Sequence, residues 1–139
     1  DGIESCQQLE SLFLLGNDII NLEPLTQLPK LRTLDLSMNE WLNFDTLDRP
    51  LQAVERLALR SCHLEETNWV RYFPNLKHLS LYDNQLQSIG LITQLDKLQS
   101  VDLRANLIPE KEVVAFMNVR AIGLFKQANN QAQNKPNVN

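Results

Sequence analysis

Cys62, His63, Glu65 and Glu66 are the densest group of chemically versatile side chains in this sequence. A thiol beside an imidazole suits a nucleophile, and the two carboxylates invite a metal. Neither reading closes: a metal site needs three or four ligands at workable spacing, and beside Cys62 and His63 only the adjoining Glu65 and Glu66 lie near. The other histidine, His78, and the other cysteine, Cys6, stand far along the chain without companions. Glu110 and Glu112 read as a solvated acidic face. The four glycines are scattered, so no loop is rich enough in glycine to cradle a phosphate. The sequence therefore predicts no catalytic residue, no metal and no cofactor.

A second constellation points to recognition chemistry instead. Arg60, Tyr82 and Arg104 recur at equal intervals, with Arg56, His78 and Asp102 close to them in sequence. Arginine and tyrosine are over-represented where proteins grip one another, because a planar fork and an amphipathic ring bind at low entropic cost. These residues share a surface only if the chain is periodic.

It is periodic. A pattern of the form Leu-x-x-Leu-x-Leu-x-x-Asn starts at Leu9, Leu31, Val54, Leu76 and Leu98, at intervals of 22 or 23 residues, and half of it returns at Val119. Within each repeat the segment x-Leu-x-Leu-x alternates with period two, which places its leucines on one side of a short strand and the intervening residues on the other. Later apolar slots, such as Ile19, Trp41, Leu64, Leu86 and Ile108, close the coil. Asn17, Asn39, Asn84 and Asn106, with Cys62 in the same slot of the third repeat, fall where the strand turns away. A carboxamide there can satisfy backbone groups that no ladder reaches, and an unpaired buried amide costs about 1–3 kcal/mol. Cys62 is read as a weak donor in that structural slot, not as a reactive thiol.

These motifs resemble the leucine-rich repeat family in its short 22-residue class, as found in bacterial internalins and in a regulatory subunit of protein phosphatase 1. The resemblance covers about residues 3–125. It implies an α/β solenoid: a right-handed coil with a parallel concave sheet of about six short strands, a mostly irregular or 3-10 convex side, and a C-terminal helix and final strand as cap. It implies protein binding and leaves the partner unspecified, since members of one architecture bind unrelated things.

In that coil the outward strand positions form three columns on the concave face. One reads Ser11, Thr33, Arg56, His78, Ser100 and Ala121, the next Phe13, Asp35, Ala58, Ser80, Asp102 and Gly123. The third reads Leu15, Ser37, Arg60, Tyr82, Arg104 and Phe125. The solenoid itself is expected to bury none of them. The predicted partner-binding set is Arg56, Arg60, His78, Tyr82, Asp102, Arg104, Asp35, Phe13 and Phe125, and its excess of arginine over aspartate favours an acidic patch on another protein. Nucleic-acid binding would call for lysines in these columns, and they hold none. The alternative is the recognition part of a larger effector or regulatory protein whose activity lies on another segment.

Composition bounds the rest. A chain of 139 residues with 43% hydrophobic residues can build one continuous core. A net charge of −4 opposes broad attraction to nucleic acid or anionic membrane. No apolar run approaches the roughly 18 residues of a membrane span. With only two cysteines, placed too far apart to pair, and no Asn-x-Ser/Thr acceptor, a reducing cytoplasmic setting is expected. Residues 1–126 read as the repeat domain. Ile3 and Cys6 within residues 1–8 occupy the tail of a preceding repeat, so Asp1 reads as a cut or processing point. A monomer is expected, or a dimer formed through the uncapped N-terminal end. Phe13 and Leu15 would meet a missing cap. Thr67 is placed to cap a short helix carrying Trp69, Val70 and Phe73. Pro109 should open a terminal helix whose stripe is Val113, Val114, Phe116 and Met117. Residues 127–139, rich in Asn and Gln, lack apolar residues to fold around and are expected to be disordered.

Overall fold

Each repeat contributes one three-residue strand, and the strands stack in chain order. In the computed structural model, which describes residues 2–120, these are β1 (Ser11–Phe13), β2 (Thr33–Asp35), β3 (Arg56–Ala58), β4 (His78–Ser80) and β5 (Ser100–Asp102). All neighbours are parallel, in the order β1-β2-β3-β4-β5. The register pairs equivalent residues, as in Ser11↔Thr33, Thr33↔Arg56, Arg56↔His78 and His78↔Ser100. The convex side returns through short 3-10 turns, including Glu23–Gln27, Phe44–Thr46, Asn68–Tyr72 and Gly90–Gln94. A helix, α1 (Glu110–Arg120), follows Pro109.

The alternating leucines make the core. Leu34, Leu57, Leu79 and Val101 point inward from the strands, and Leu36, Leu59, Leu81 and Leu103 follow them, all nearly inaccessible to water. On the convex side Phe44, Trp69 and Phe73 pack as an aromatic cluster with centroids 5.8–6.3 Å apart. Edge contacts of this kind suit the ring quadrupoles. Burial is weaker in the first repeat, where Leu9, Leu12, Leu14 and Ile19 are only half-buried against the core.

Three asparagine side chains bridge successive turns. The Asn39 side chain donates from Nδ2 to the carbonyls of Leu14 (3.0 Å) and Leu36 (2.9 Å), and its Oδ1 accepts the Ile19 N–H (3.0 Å). Asn84 donates to Leu59 (2.8 Å) and Leu81 (3.0 Å) and accepts from the N–H groups of Cys62 (3.0 Å) and Leu64 (2.9 Å). Asn106 repeats this toward Leu81 (2.8 Å), Leu103 (3.1 Å) and Leu86 (3.1 Å). Asn17, at the exposed end of the ladder, donates only to its own turn, to the carbonyls of Leu14 and Leu15. Asn39, Asn84 and Asn106 thus each tie one repeat to the one before it.

Cys62 keeps half of this function. Its thiol donates weakly to the carbonyls of Leu36 (3.4 Å) and Arg60 (3.5 Å). It has no carbonyl oxygen to accept a backbone N–H of the preceding repeat, as Asn39, Asn84 and Asn106 do. Trp41, in the slot that Ile19, Leu64 and Leu86 occupy in other repeats, lies outside the core at 66% exposure, where an apolar core slot was expected, and Leu42 packs against the core beside it.

Three further expectations are corrected. Thr67 precedes the Asn68–Tyr72 turn without capping it; its Oγ1 instead accepts the Leu91 N–H of the following repeat at 2.9 Å. Gly90, at φ 53°, leaves room for that hydroxyl, since a Cβ there would collide with Thr67 Oγ1. In α1, Val113, Phe116 and Met117 are buried, but Val114 turns outward. The helix also runs through Val119, which is 81% exposed and opens no new repeat within the described residues. Arg120 holds the helix end down by stacking 5.5 Å from the Phe116 centroid and donating to the carbonyls of Leu95 and Thr93. The sixth strand, Phe125 and the tail of residues 127–139 lie outside the described residues.

Candidate protein-binding site

The strand register converts the sequence columns into rows of side chains on the concave face. Because equivalent residues pair across every strand, Arg56 lies between Thr33 and His78, and Ala58 between Asp35 and Ser80. The ladder continues beyond the strand ends: the N–H groups of Met38, Ser61 and Asp83 donate to the carbonyls of Arg60, Tyr82 and Arg104 at 2.8–3.0 Å. Arg60, Tyr82 and Arg104 are therefore adjacent across three repeats, with neighbouring strands spaced about 4.8 Å apart.

Within that row Arg104 is held in place. Its guanidinium donates from Nε to Asp102 Oδ1 (2.8 Å) and from Nη2 to Oδ2 (2.7 Å), and it lies 5.3 Å from the Tyr82 ring centroid. The paired carboxylate raises the Arg104 pKa further above its ordinary value, so the charge is fixed. Tyr82 remains 38% exposed and offers its ring to the concave side. Among the described residues Arg56 and Arg60 make no ion pair, and both are exposed. His78 is half-buried, with Nδ1 2.8 Å from the hydroxyl of Ser100. At the floor of the sheet Arg56, His78 and Asp102 border a shallow depression of about 190 Å³ that reaches to Phe13, with Arg60, Tyr82 and Arg104 outside its lining.

The structure separates the sequence-predicted set into two kinds. Arg56, Arg60, Tyr82, Arg104 and Phe13 face solvent or lie at the surface, Phe13 at 66% exposure on β1. The aspartates do something else. Asp102 is buried, binds Arg104 and accepts the backbone N–H of Arg104 at 3.2 Å. Asp35 accepts the N–H of Ser37 at 2.9 Å in the same way. Both carboxylates close the turn at a strand end, so each combines a structural role with its place in the columns. Ser37 is a clear departure from the expected exposure of all three columns. It is fully buried, because its Oγ accepts the Arg60 N–H at 2.9 Å and draws the small side chain beneath the neighbouring strand.

The Cys62–His63 group does not assemble a reactive centre. Cys62 is buried, and burial raises its thiol pKa above the ordinary range, which keeps it protonated. His63 turns to the surface on a left-handed backbone (φ 59°) and meets Glu40 at 3.5 Å. No group of three or more potential metal ligands occurs among the described residues. Nor does any helix among them have the length and apolar character to cross a membrane.

One surface was not foreseen. The rim where the strands begin collects Lys30, Arg32, Lys77 and Lys97 beside a groove of about 550 Å³. The signal was present in the repeat frame, since all four flank the first residue of a repeat.

Comparison with known proteins agrees with this architecture. The family model of leucine-rich repeats (two copies) matches residues 7–49 and 74–112. The chain is similar to Tubulin-specific chaperone E of Mus musculus, with 36% identity over 104 residues, covering 67% of this chain and 20% of that protein. The protein of the same name from Danio rerio is 34% identical over 119 residues, covering 76% and 23%. The Homo sapiens protein is 28% identical over 145 residues, covering 91% and 28%. The chain thus spans about a fifth to a quarter of the length of the curated relatives it matches.

Proposed function

Since this chain belongs to the leucine-rich repeat family, we propose that it is the partner-recognition part of a larger chaperone-like protein and docks tubulin on its concave face. Its role is protein interaction. Two observations support the choice of face and partner. The concave side carries the Arg60–Tyr82–Arg104 row, in which Arg104 is already oriented by Asp102 and stacked near Tyr82. The relatives that match most of the chain are named for tubulin.

The row carries the reading. Immobilising a long side chain on binding costs about 0.5–1.5 kcal/mol, and Arg104 has met much of that cost on folding. Arg56 and Arg60 present charges without ion-pair partners among the described residues, whereas Asp35 and Asp102 are engaged at strand ends. The face is therefore more cationic than the chain as a whole and suits an acidic patch on the partner. Phe13, exposed at one end of the sheet, supplies an apolar contact.

The test is a titration of purified tubulin against the wild type and the triple variant Arg60→Ala, Tyr82→Ala, Arg104→Ala. Hot-spot side chains contribute about 2 kcal/mol or more each, so affinity should fall by at least about 100-fold. The melting temperature serves as the folding control. Failure of the wild type to bind tubulin would overturn the partner, and undiminished affinity in the triple variant would overturn the face.

A further inference from the structure

The concave face is not the only surface shaped for a partner. We propose that the rim where the strands begin is a second, separate docking groove, and that it takes an extended acidic peptide segment.

The groove lies around one small residue in the repeat frame. The position just before each repeat start is Gln8, Lys30, Ala53, Asn75 and Lys97. Four of these are long or polar; Ala53 is short and lies in the lining of a groove of about 550 Å³, with lysine- and arginine-bearing repeats to either side. On one side stand Lys30 and Arg32, on the other Lys77 and Lys97. Four cations face two carboxylates, Glu10 and Glu55, in a chain whose net charge is −4.

The hydrogen bonding leaves much of that charge available. Lys30 Nζ donates to the neutral Gln8 Oε1 at 2.7 Å, and Lys97 Nζ to the neutral Asn75 Oδ1 at 2.9 Å. Neither has a carboxylate partner among the described residues. Arg32 and Lys77 share a single carboxylate, Glu55, at 3.1 and 3.6 Å. The amide and carboxylate contacts orient the four cations without neutralising them, so the rim is built to receive negative charge.

Dimensions select the occupant. The Lys30 and Lys97 rows are three strand spacings apart, about 14 Å, and an extended chain rises about 3.3 Å per residue. A segment of about five residues with carboxylates toward each end therefore reaches both cation pairs across the groove. A nucleic-acid backbone fits less well. Glu10 and Glu55 interrupt the positive charge that a continuous polyphosphate would follow, and the groove lining contains no aromatic ring on which a base could stack.

The probe is isotope-labelled protein titrated with hexaglutamate at low salt, where surface charges are screened least. Amide shifts should change at Lys30, Arg32, Ala53, Lys77 and Lys97. The double variant Lys30→Glu, Lys97→Glu should weaken binding at least about tenfold. The milder Lys30→Gln, Lys97→Gln pair should weaken it in the same direction, which keeps the test decisive if charge reversal disturbs folding. The shifts at the rim residues should persist in the concave triple variant, so the two surfaces fail or stand separately. Absent shifts, shifts confined to the concave sheet, or tighter binding of oligothymidylate than of hexaglutamate at this rim would each overturn the proposal.

Discussion

The carboxylate of Asp102 grips the guanidinium of Arg104 through two hydrogen bonds of 2.8 and 2.7 Å. Paired forks of this kind are shorter and stronger than neutral hydrogen bonds and fix direction as well as distance. Asp102 is itself buried, so it acts as an anchor beneath the arginine while Arg104 stays partly exposed. The carboxylate thereby places a cation beside Tyr82 before any partner arrives.

Asp102→Asn tests that anchoring. The amide retains one acceptor oxygen and loses the charged second contact, so Arg104 regains rotamer freedom. The expected result is tubulin affinity weakened roughly two- to tenfold, the equivalent of about 0.5–1.5 kcal/mol of side-chain ordering. Isothermal titration of both proteins measures it, and equal affinities would show that orientation of Arg104 contributes nothing.

Cys62→Asn should stabilise the protein. An asparagine there restores the acceptor that Asn39, Asn84 and Asn106 provide for the N–H twenty residues earlier, which at this position is that of Leu42. A hydrogen bond gained in folding is worth about 1 kcal/mol, which raises the melting temperature of a domain this size by about 3–6 °C. A melting temperature at or below that of the wild type would show that the thiol already fills the slot as well as an amide can.

The same thiol predicts a dependence on alkali. Burial raises the Cys62 pKa in the folded state. A raised pKa gives stability that is complete below the unfolded thiol pKa and is lost as the pH rises through the folded value. Urea midpoints should therefore hold steady near neutrality and fall on the alkaline side, less so in Cys62→Ala. In native protein at neutral pH a thiol reagent should modify Cys6, which is exposed, and reach Cys62 only on unfolding.

Leu81→Ala and Trp41→Ala separate core from surface. Leu81 is fully buried, and truncation should cost about 2–5 kcal/mol in a urea melt through the cavity it leaves. Trp41 occupies a nominal core slot but is 66% exposed, so its removal should change stability by less than about 0.5 kcal/mol. A large loss at Trp41 would place its ring in the core after all.

The repeat frame was fully legible in the sequence, because period-two leucines and turn asparagines record which side of a strand faces the core. The three concave columns followed from the same arithmetic; over the five described strands the register pairs the first two, and backbone hydrogen bonds from Gly16, Met38, Ser61 and Asp83 carry it on to the third. Spacing could not reveal which members of a column stay exposed. Ser37 and Tyr82 share one column, yet Ser37 is small enough to sink beneath the Arg60 N–H while Tyr82 stands out. The end of α1 was equally hidden: Val119 matches the start of a repeat, but Arg120 finds Phe116 and the Leu95 carbonyl only when the helix is packed. Sequence alone determined the periodicity and therefore the fold, because burial of a regular apolar pattern has one economical solution. Tertiary structure decided which polar groups are spent internally and which remain for a partner, because that depends on hydrogen bonds between repeats 22 or 23 residues apart.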